Sequence, residues 1–128
     1  MAKKILIIDD NPEFVDATSN LLDAKGYQVV TAPDGKKGIE LAKAENPDLI
    51  LLDVMMTTKS EGFDTARAIQ QDEKIKSTPI IIITGVRKEM NLPFGFEPDS
   101  DWLPVKAVLE KPIKPEVLLK NVQEHIKK

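Results

Sequence analysis

Three short runs of aliphatic residues punctuate the chain: Ile5 to Ile8, Leu49 to Leu52 and Ile80 to Ile83, each closing on a polar residue. Unbroken apolar runs of this length read as strands buried on both faces, whereas a half-exposed strand would alternate. Strands covered on both sides belong to parallel sheets, because helical crossovers form the two covering layers. The segments between the runs should therefore be helical.

The intervening sequence agrees. Asn11 can cap a helix that starts at Pro12, and Phe14, Thr18, Leu21 and Leu22 recur at helical spacing until Gly26 ends it. Gln28 to Ala32 alternates weakly as a second strand, and Pro33-Asp34-Gly35 makes a turn into a helix over Lys36 to Ala44, stopped by Asn46-Pro47. Gly62 to Gln71 reads as a third helix, and Thr78-Pro79 opens the strand beyond it. Val105 to Glu110 is a fifth strand candidate, followed by a helix with Pro115 in its first turn and Leu118, Leu119, Val122 and Ile126 on one face. Between the fourth and fifth strands, Pro93, Pro98 and Pro104 interrupt any regular helix, so residues 86–104 are expected to be irregular, with Phe94, Phe96 and Trp102 clustered there. The expected fold is thus α/β and flavodoxin-like, a doubly wound (βα)5 parallel sheet of order 2-1-3-4-5. The five units use the whole of 1–128 as one domain.

Composition narrows the functions open to such a fold. With 41% hydrophobic and 30% charged residues among 128, the chain has enough core formers to fold, which excludes disorder. A net charge of −3 offers no attraction for phosphate backbones or anionic lipid, so nucleic acid is not an expected partner. Cysteine is absent and His125 is the sole histidine, which excludes thiolate chemistry and imidazole metal clusters but leaves a hard cation held by oxygen. The first apolar run is too short to be a signal core or a membrane span, and a cytoplasmic location without membrane insertion is expected.

In a parallel α/β sheet, ligands bind beyond the carboxyl ends of the strands where the strand order reverses. Strand one ends in Asp9-Asp10, strand three in Asp53, strand four in Thr84 and strand five leads to Lys111. The expected order places Asp9, Asp10 and Asp53 around one crevice. Like charges at such spacing repel by about several kcal/mol in a partly desolvated site, so the cluster calls for shared protons or a bound cation. Magnesium fits, since it takes a few carboxylate oxygens and completes its shell with water and phosphate oxygens. Phosphoryl transfer then needs a nucleophile, for which the Asp53 carboxylate serves, with Lys111 and Thr84 as fixed cation and hydrogen-bond donor.

At these residues the sequence resembles the receiver domain of two-component response regulators. That pattern is an acidic pair after strand one, an aspartate ending strand three, a threonine or serine ending strand four and a lysine-proline after strand five. The resemblance covers essentially the whole chain. It implies that Asp9 and Asp10 hold Mg2+ with the Met55 carbonyl as a further ligand, and that Asp53 is phosphorylated by a histidine kinase or histidine phosphotransfer protein. Thr84 and Lys111 would contact the phosphoryl oxygens, the Lys111-Pro112 bond would be cis, and the phosphorylated state would alter binding to a downstream protein. The chain would thus be a signalling domain, with self-catalysed phosphoryl transfer and slow dephosphorylation as its only catalysis.

Three departures accompany the resemblance. The loop from Met55 to Gly62 lacks the usual methionine-proline and is about one residue longer. Val108 stands where the family commonly has an aromatic residue, three positions before the lysine, and the stretch from Thr84 to Lys111 is longer and proline-rich. The positions two after Asp53 and two after Thr84, which in the family influence water attack, are Met55 and Val86. Neither can orient a water, so a long-lived aspartyl phosphate is expected. Val108 and the irregular stretch also support a rival reading, a pseudo-receiver that binds proteins without phosphorylation. Each motif residue alone has a bland reading as a turn or cap residue, and the weight lies in their joint placement at four strand ends. His125 reads as a surface or boundary residue with no role.

Overall fold

The structure, a computed structural model, describes residues 2–53, 61–84, 107–111 and 113–127, with residues 61–63, 84 and 110 described by their backbone alone. In chain order the elements are β1 (Lys4–Ile8), α1 (Pro12–Ala24), β2 (Gln28–Ala32), α2 (Gly35–Glu45), β3 (Leu49–Asp53), α3 (Glu61–Gln71), β4 (Ile80–Thr84), β5 (Ala107–Glu110) and α4 (Pro115–His125). The strands form one parallel sheet of order β2-β1-β3-β4-β5, as the alternation of apolar runs and helical segments leads one to expect.

The sheet separates two cores. Ile5 and Ile7 of β1, Leu49 and Leu51 of β3 and Ile81 and Ile83 of β4 face Leu22 of α1 and Leu118 and Val122 of α4. Leu6, Ile8, Ile50, Leu52, Ile80 and Ile82 face the other way, onto Ala42 of α2 and Ala66 and Ile69 of α3. Every residue of β3 is buried, which is why that run carries no alternation. Each fully buried Ile or Leu contributes about 1.5 to 3 kcal/mol of transfer free energy, so the central strands dominate the stability of the sheet.

Local signals set the helix limits. The Asn11 side chain accepts hydrogen bonds from the backbone N–H groups of Glu13 and Phe14 (3.0 and 3.3 Å), capping α1 with Pro12 at its first position. At the far end Gly26 takes φ +90°, donates to the Asp23 carbonyl, and lets the Tyr27 N–H reach the Leu22 carbonyl, a Schellman closure. Asp34 caps α2 by accepting from the Lys37 N–H at 2.8 Å, so this helix runs one residue longer at each end than Lys36 to Ala44. Gly38 lets α2 lie against the end of β1, since a Cβ there would collide with the side chain of Ile8.

Two expectations need adjustment. Ile126 lies beyond α4, with extended backbone, yet it is buried in the same core as Leu118 and Val122. The third helix begins at Glu61, one residue before Gly62. Val105 and Lys106, the irregular stretch 86–104 with Phe94, Phe96 and Trp102, and the Lys111-Pro112 bond lie outside the described residues. None of the described helices is long and apolar enough to cross a membrane.

Candidate functional site

The site is built by register. β1 and β3 pair as neighbours through Ile8↔Leu52, and one step further along each strand stand Asp9 and Asp53. The Asp9 N–H still donates to the Ala32 carbonyl at 3.0 Å, continuing the β1–β2 ladder, so the backbone of Asp9 is held as firmly as that of the strand. Asp10 follows at the bend into α1. One carboxylate oxygen from each of Asp9, Asp10 and Asp53 lies within 4.8 Å of the others. Asp9 and Asp53 are each only 3% exposed, whereas Asp10 faces solvent.

Lys111, just past β5, reaches into this cluster. Its Nζ donates to Asp9 Oδ2 at 2.9 Å and stands 3.7 Å from Asp53 Oδ2. The other oxygen of Asp9 accepts the Asn11 N–H at 2.8 Å, so both oxygens of that carboxylate are engaged. Among the described residues, one ammonium stands against three carboxylates, an excess of negative charge around two buried aspartates. Such a donor set, hard oxygens converging at the edge of a sheet, fits a small divalent cation that retains part of its water shell.

The crevice brings together Asp9, Asp10, Asp53 and Lys111 from three strand ends. The backbone of Thr84 pairs with Glu110, the residue before Lys111, which places residue 84 at the same rim. Met55 lies outside the described residues. One neighbour escaped the sequence reading: Phe14, taken there only as an apolar position of the first helix, has its ring centroid 4.2 Å from Lys111 Nζ. The available signal was its place in the first turn of the helix that leaves the acidic pair. Beside it, a groove of about 840 Å3 runs between α1 and α4, lined by Phe14, Ala17, Leu21, Lys111, Ile113 and Leu118.

A doubly wound α/β domain with an acidic crevice at its topological switch point defines a class of phosphate-handling signalling and nucleotide-binding folds. Within that class the family model of the response regulator receiver domain matches residues 5–123, and the chain belongs to this family. Protein PilH of Pseudomonas aeruginosa is 32% identical over 93% of either chain. The DNA-binding transcriptional regulator RpaA of Synechocystis is 36% identical over 94% of this chain, which spans about half the length (47%) of that regulator. Among solved structures, the chemotaxis protein CheY4 of Vibrio cholerae matches with a TM-score of 0.81 and 28% identity, covering 98% of this chain and 100% of that one. The receiver domain of a Pseudomonas aeruginosa sensor histidine kinase, solved with magnesium in its active-site cleft, shares the fold at a TM-score of 0.81 and 24% identity, with 98% of both chains covered. Receiver domains are signalling domains, and aspartyl phosphorylation and Mg2+ binding at an acidic pocket are general to them.

Proposed function

We propose that Asp53 is the phosphoacceptor of a single receiver domain and that Asp9, Asp10 and Asp53 hold Mg2+ beside it, with the Met55 carbonyl as a further ligand. The observation that carries this reading is the convergence of three carboxylate oxygens within 4.8 Å beside the Lys111 ammonium. Bound Mg2+ would neutralise charge on the transferring phosphoryl group. The rest of the chemistry belongs to the chain. An Asp53 oxygen forms the new O–P bond as the N–P bond of a phosphohistidine breaks, and the departing imidazole nitrogen keeps the electron pair and takes up a proton. Lys111 supplies fixed positive charge to the phosphoryl oxygens, and Thr84 supplies a hydroxyl donor. The donor is a histidine kinase or histidine phosphotransfer protein, and the modified domain changes its affinity for a cytoplasmic protein partner. Met55 and Val86 stand two positions after Asp53 and Thr84, where family side chains influence water attack, and neither residue type can orient a water, so the aspartyl phosphate is long-lived.

A second reading, protein binding without phosphorylation, draws on Val108. Its side chain is half-buried against the core shared with α2 and α3 and supplies no aromatic ring at that site. Intact mass after incubation with acetyl phosphate and Mg2+ separates the two. A gain of about 80 Da that Asp53→Asn abolishes supports phosphoacceptance. An unchanged mass in the wild type supports the second reading.

A further inference from the structure

We propose that Phe14 is a positioning residue for Lys111, its ring holding the ammonium at the place where the phosphoryl group arrives; this rests on the phosphoacceptor reading above. A lysine head is a compact charge on a flexible four-carbon stem, so its location is set by what surrounds it. Among the described residues, three groups do so: Asp9 Oδ2 at 2.9 Å, Asp53 Oδ2 at 3.7 Å and the Phe14 ring centroid at 4.2 Å.

These three are not equivalent. Asp9 is also a candidate metal ligand, and engagement of its carboxylate by a cation weakens its hold on Lys111. The ring has no such second duty. It attracts positive charge through its electron-rich face and makes no claim on the N–H donors, which stay available to oxygen atoms beside Asp53. The Lys111 side chain is 18% exposed, and ring attraction strengthens as the cation is desolvated.

The ring itself is anchored. Phe14 is the third residue of α1, and its backbone N–H donates to the Asn11 cap, whose own N–H donates to Asp9 Oδ1. The ring also packs beside the core of Ile5, Ile7 and Leu118. The acidic pair, the cap and the ring thus form one short rigid unit at the end of β1, and Lys111 comes to it from the end of β5, across β3 and β4 in the sheet order. A Phe14 that served only to fill the core could be exchanged for another apolar side chain with no effect on Lys111.

The test compares Phe14→Leu with Phe14→Tyr, using Phe14→Met as the second ringless variant if the leucine protein does not fold. In Mg2+-free protein, the ε-methylene protons of Lys111, identified by their disappearance in Lys111→Arg, are expected to be shifted upfield by the ring in wild type and Phe14→Tyr. The ringless variant should lose that shift. With phosphoramidate and saturating Mg2+, the ringless variant should gain phosphoryl mass about fivefold more slowly, with Phe14→Tyr restored to the wild-type rate. A wild-type Lys111 resonance that matches the ringless variant overturns the proposal, as do equal rates in all three proteins or a loss that tyrosine does not restore. If the wild type takes up no phosphoryl group, the phosphoacceptor reading fails, and the Lys111 resonances alone decide the role of Phe14.

Discussion

The two ends of the same sheet treat charge in opposite ways. At the amino end, Lys4 Nζ meets Glu45 Oε1 at 2.8 Å, and the Lys4 N–H donates to Asp48 Oδ2 at 2.9 Å. Asp48 in turn is bonded through its backbone to Lys4 and Lys127, so β1, the start of β3 and the chain after α4 are tied together. The Lys4 ammonium and the Glu45 carboxylate are matched one to one there, the Asp48 carboxylate accepts a backbone N–H, and both side chains of the Lys4–Glu45 pair keep access to water. At the carboxyl end, among the described residues, three carboxylates face one ammonium, and two of the three are almost fully buried. Stability alone explains the first arrangement. It does not explain the second, because excess buried charge works against folding until a cation arrives. On the reading proposed above, the mismatch, more than the presence of acidic residues, distinguishes the end that takes Mg2+ and the phosphoryl group.

The largest effect expected from this contrast is stabilisation by the missing charge. Mg2+ at about 100 times its dissociation constant should raise the unfolding free energy by about 2.7 kcal/mol, read as an upward shift of the thermal midpoint. Asp10→Asn removes the exposed member of the cluster and should reduce that shift sharply, whereas Glu45→Gln at the amino end should leave it intact. A midpoint that ignores Mg2+, or a shift undiminished in Asp10→Asn, would break the contrast.

Without metal, the same two substitutions should act with opposite signs. Asp10→Asn relieves repulsion from Asp9 and Asp53 and should stabilise the protein by about 0.5 kcal/mol, the screened value for an exposed charge. Glu45→Gln removes a partly exposed ion pair and should destabilise by about 0.5 kcal/mol, less at high salt. Denaturant midpoints in the presence of a chelator measure both. Destabilisation by Asp10→Asn would mean that its carboxylate is already compensated.

The sheet and the acidic crevice were legible in the sequence for one physical reason. In a parallel sheet, strands buried on both faces must be continuous apolar runs, and the residue that ends each run stands at the same rim. Ile8↔Leu52 pairing then puts Asp9 beside Asp53 with no further information. The first helix was legible through Asn11-Pro12 and Gly26, whose roles are local. Ile126 was less so: periodicity places it inside the last helix, but the chain leaves helical geometry there because the Lys127 N–H reaches back to the Asp48 carbonyl. The contact between Phe14 and Lys111 was legible only as far as the place of Phe14 in the first turn after the acidic pair. Helical spacing tells which face a side chain takes, but a partner 97 residues away is fixed by tertiary packing.

The smallest prediction sharpens the amino end further. There Lys43, near the end of α2, places its Nζ 3.0 Å from Asp72 Oδ2, and Asp72 Oδ1 accepts the Lys74 N–H at 2.9 Å in the turn after α3. The Lys43 hydrogen bond, with help from the Lys74 N–H, holds the Asp72 carboxyl below its ordinary value of 3.8. A carboxylate with a depressed folded-state pKa contributes stability that is fully present above the ordinary value and is lost as pH falls through the lowered one. Lys43→Met should therefore lower the thermal midpoint slightly at neutral pH, and the gap from wild type should close as the pH drops below 3.8. A gap that persists or widens in acid would assign the effect of Lys43 to its packing on α2 and not to its charge. Either way the measurement reports on a matched pair, because Asp72 has a cation of the chain itself within reach, whereas the aspartates at the other end of the sheet are the ones proposed to take Mg2+ from solution.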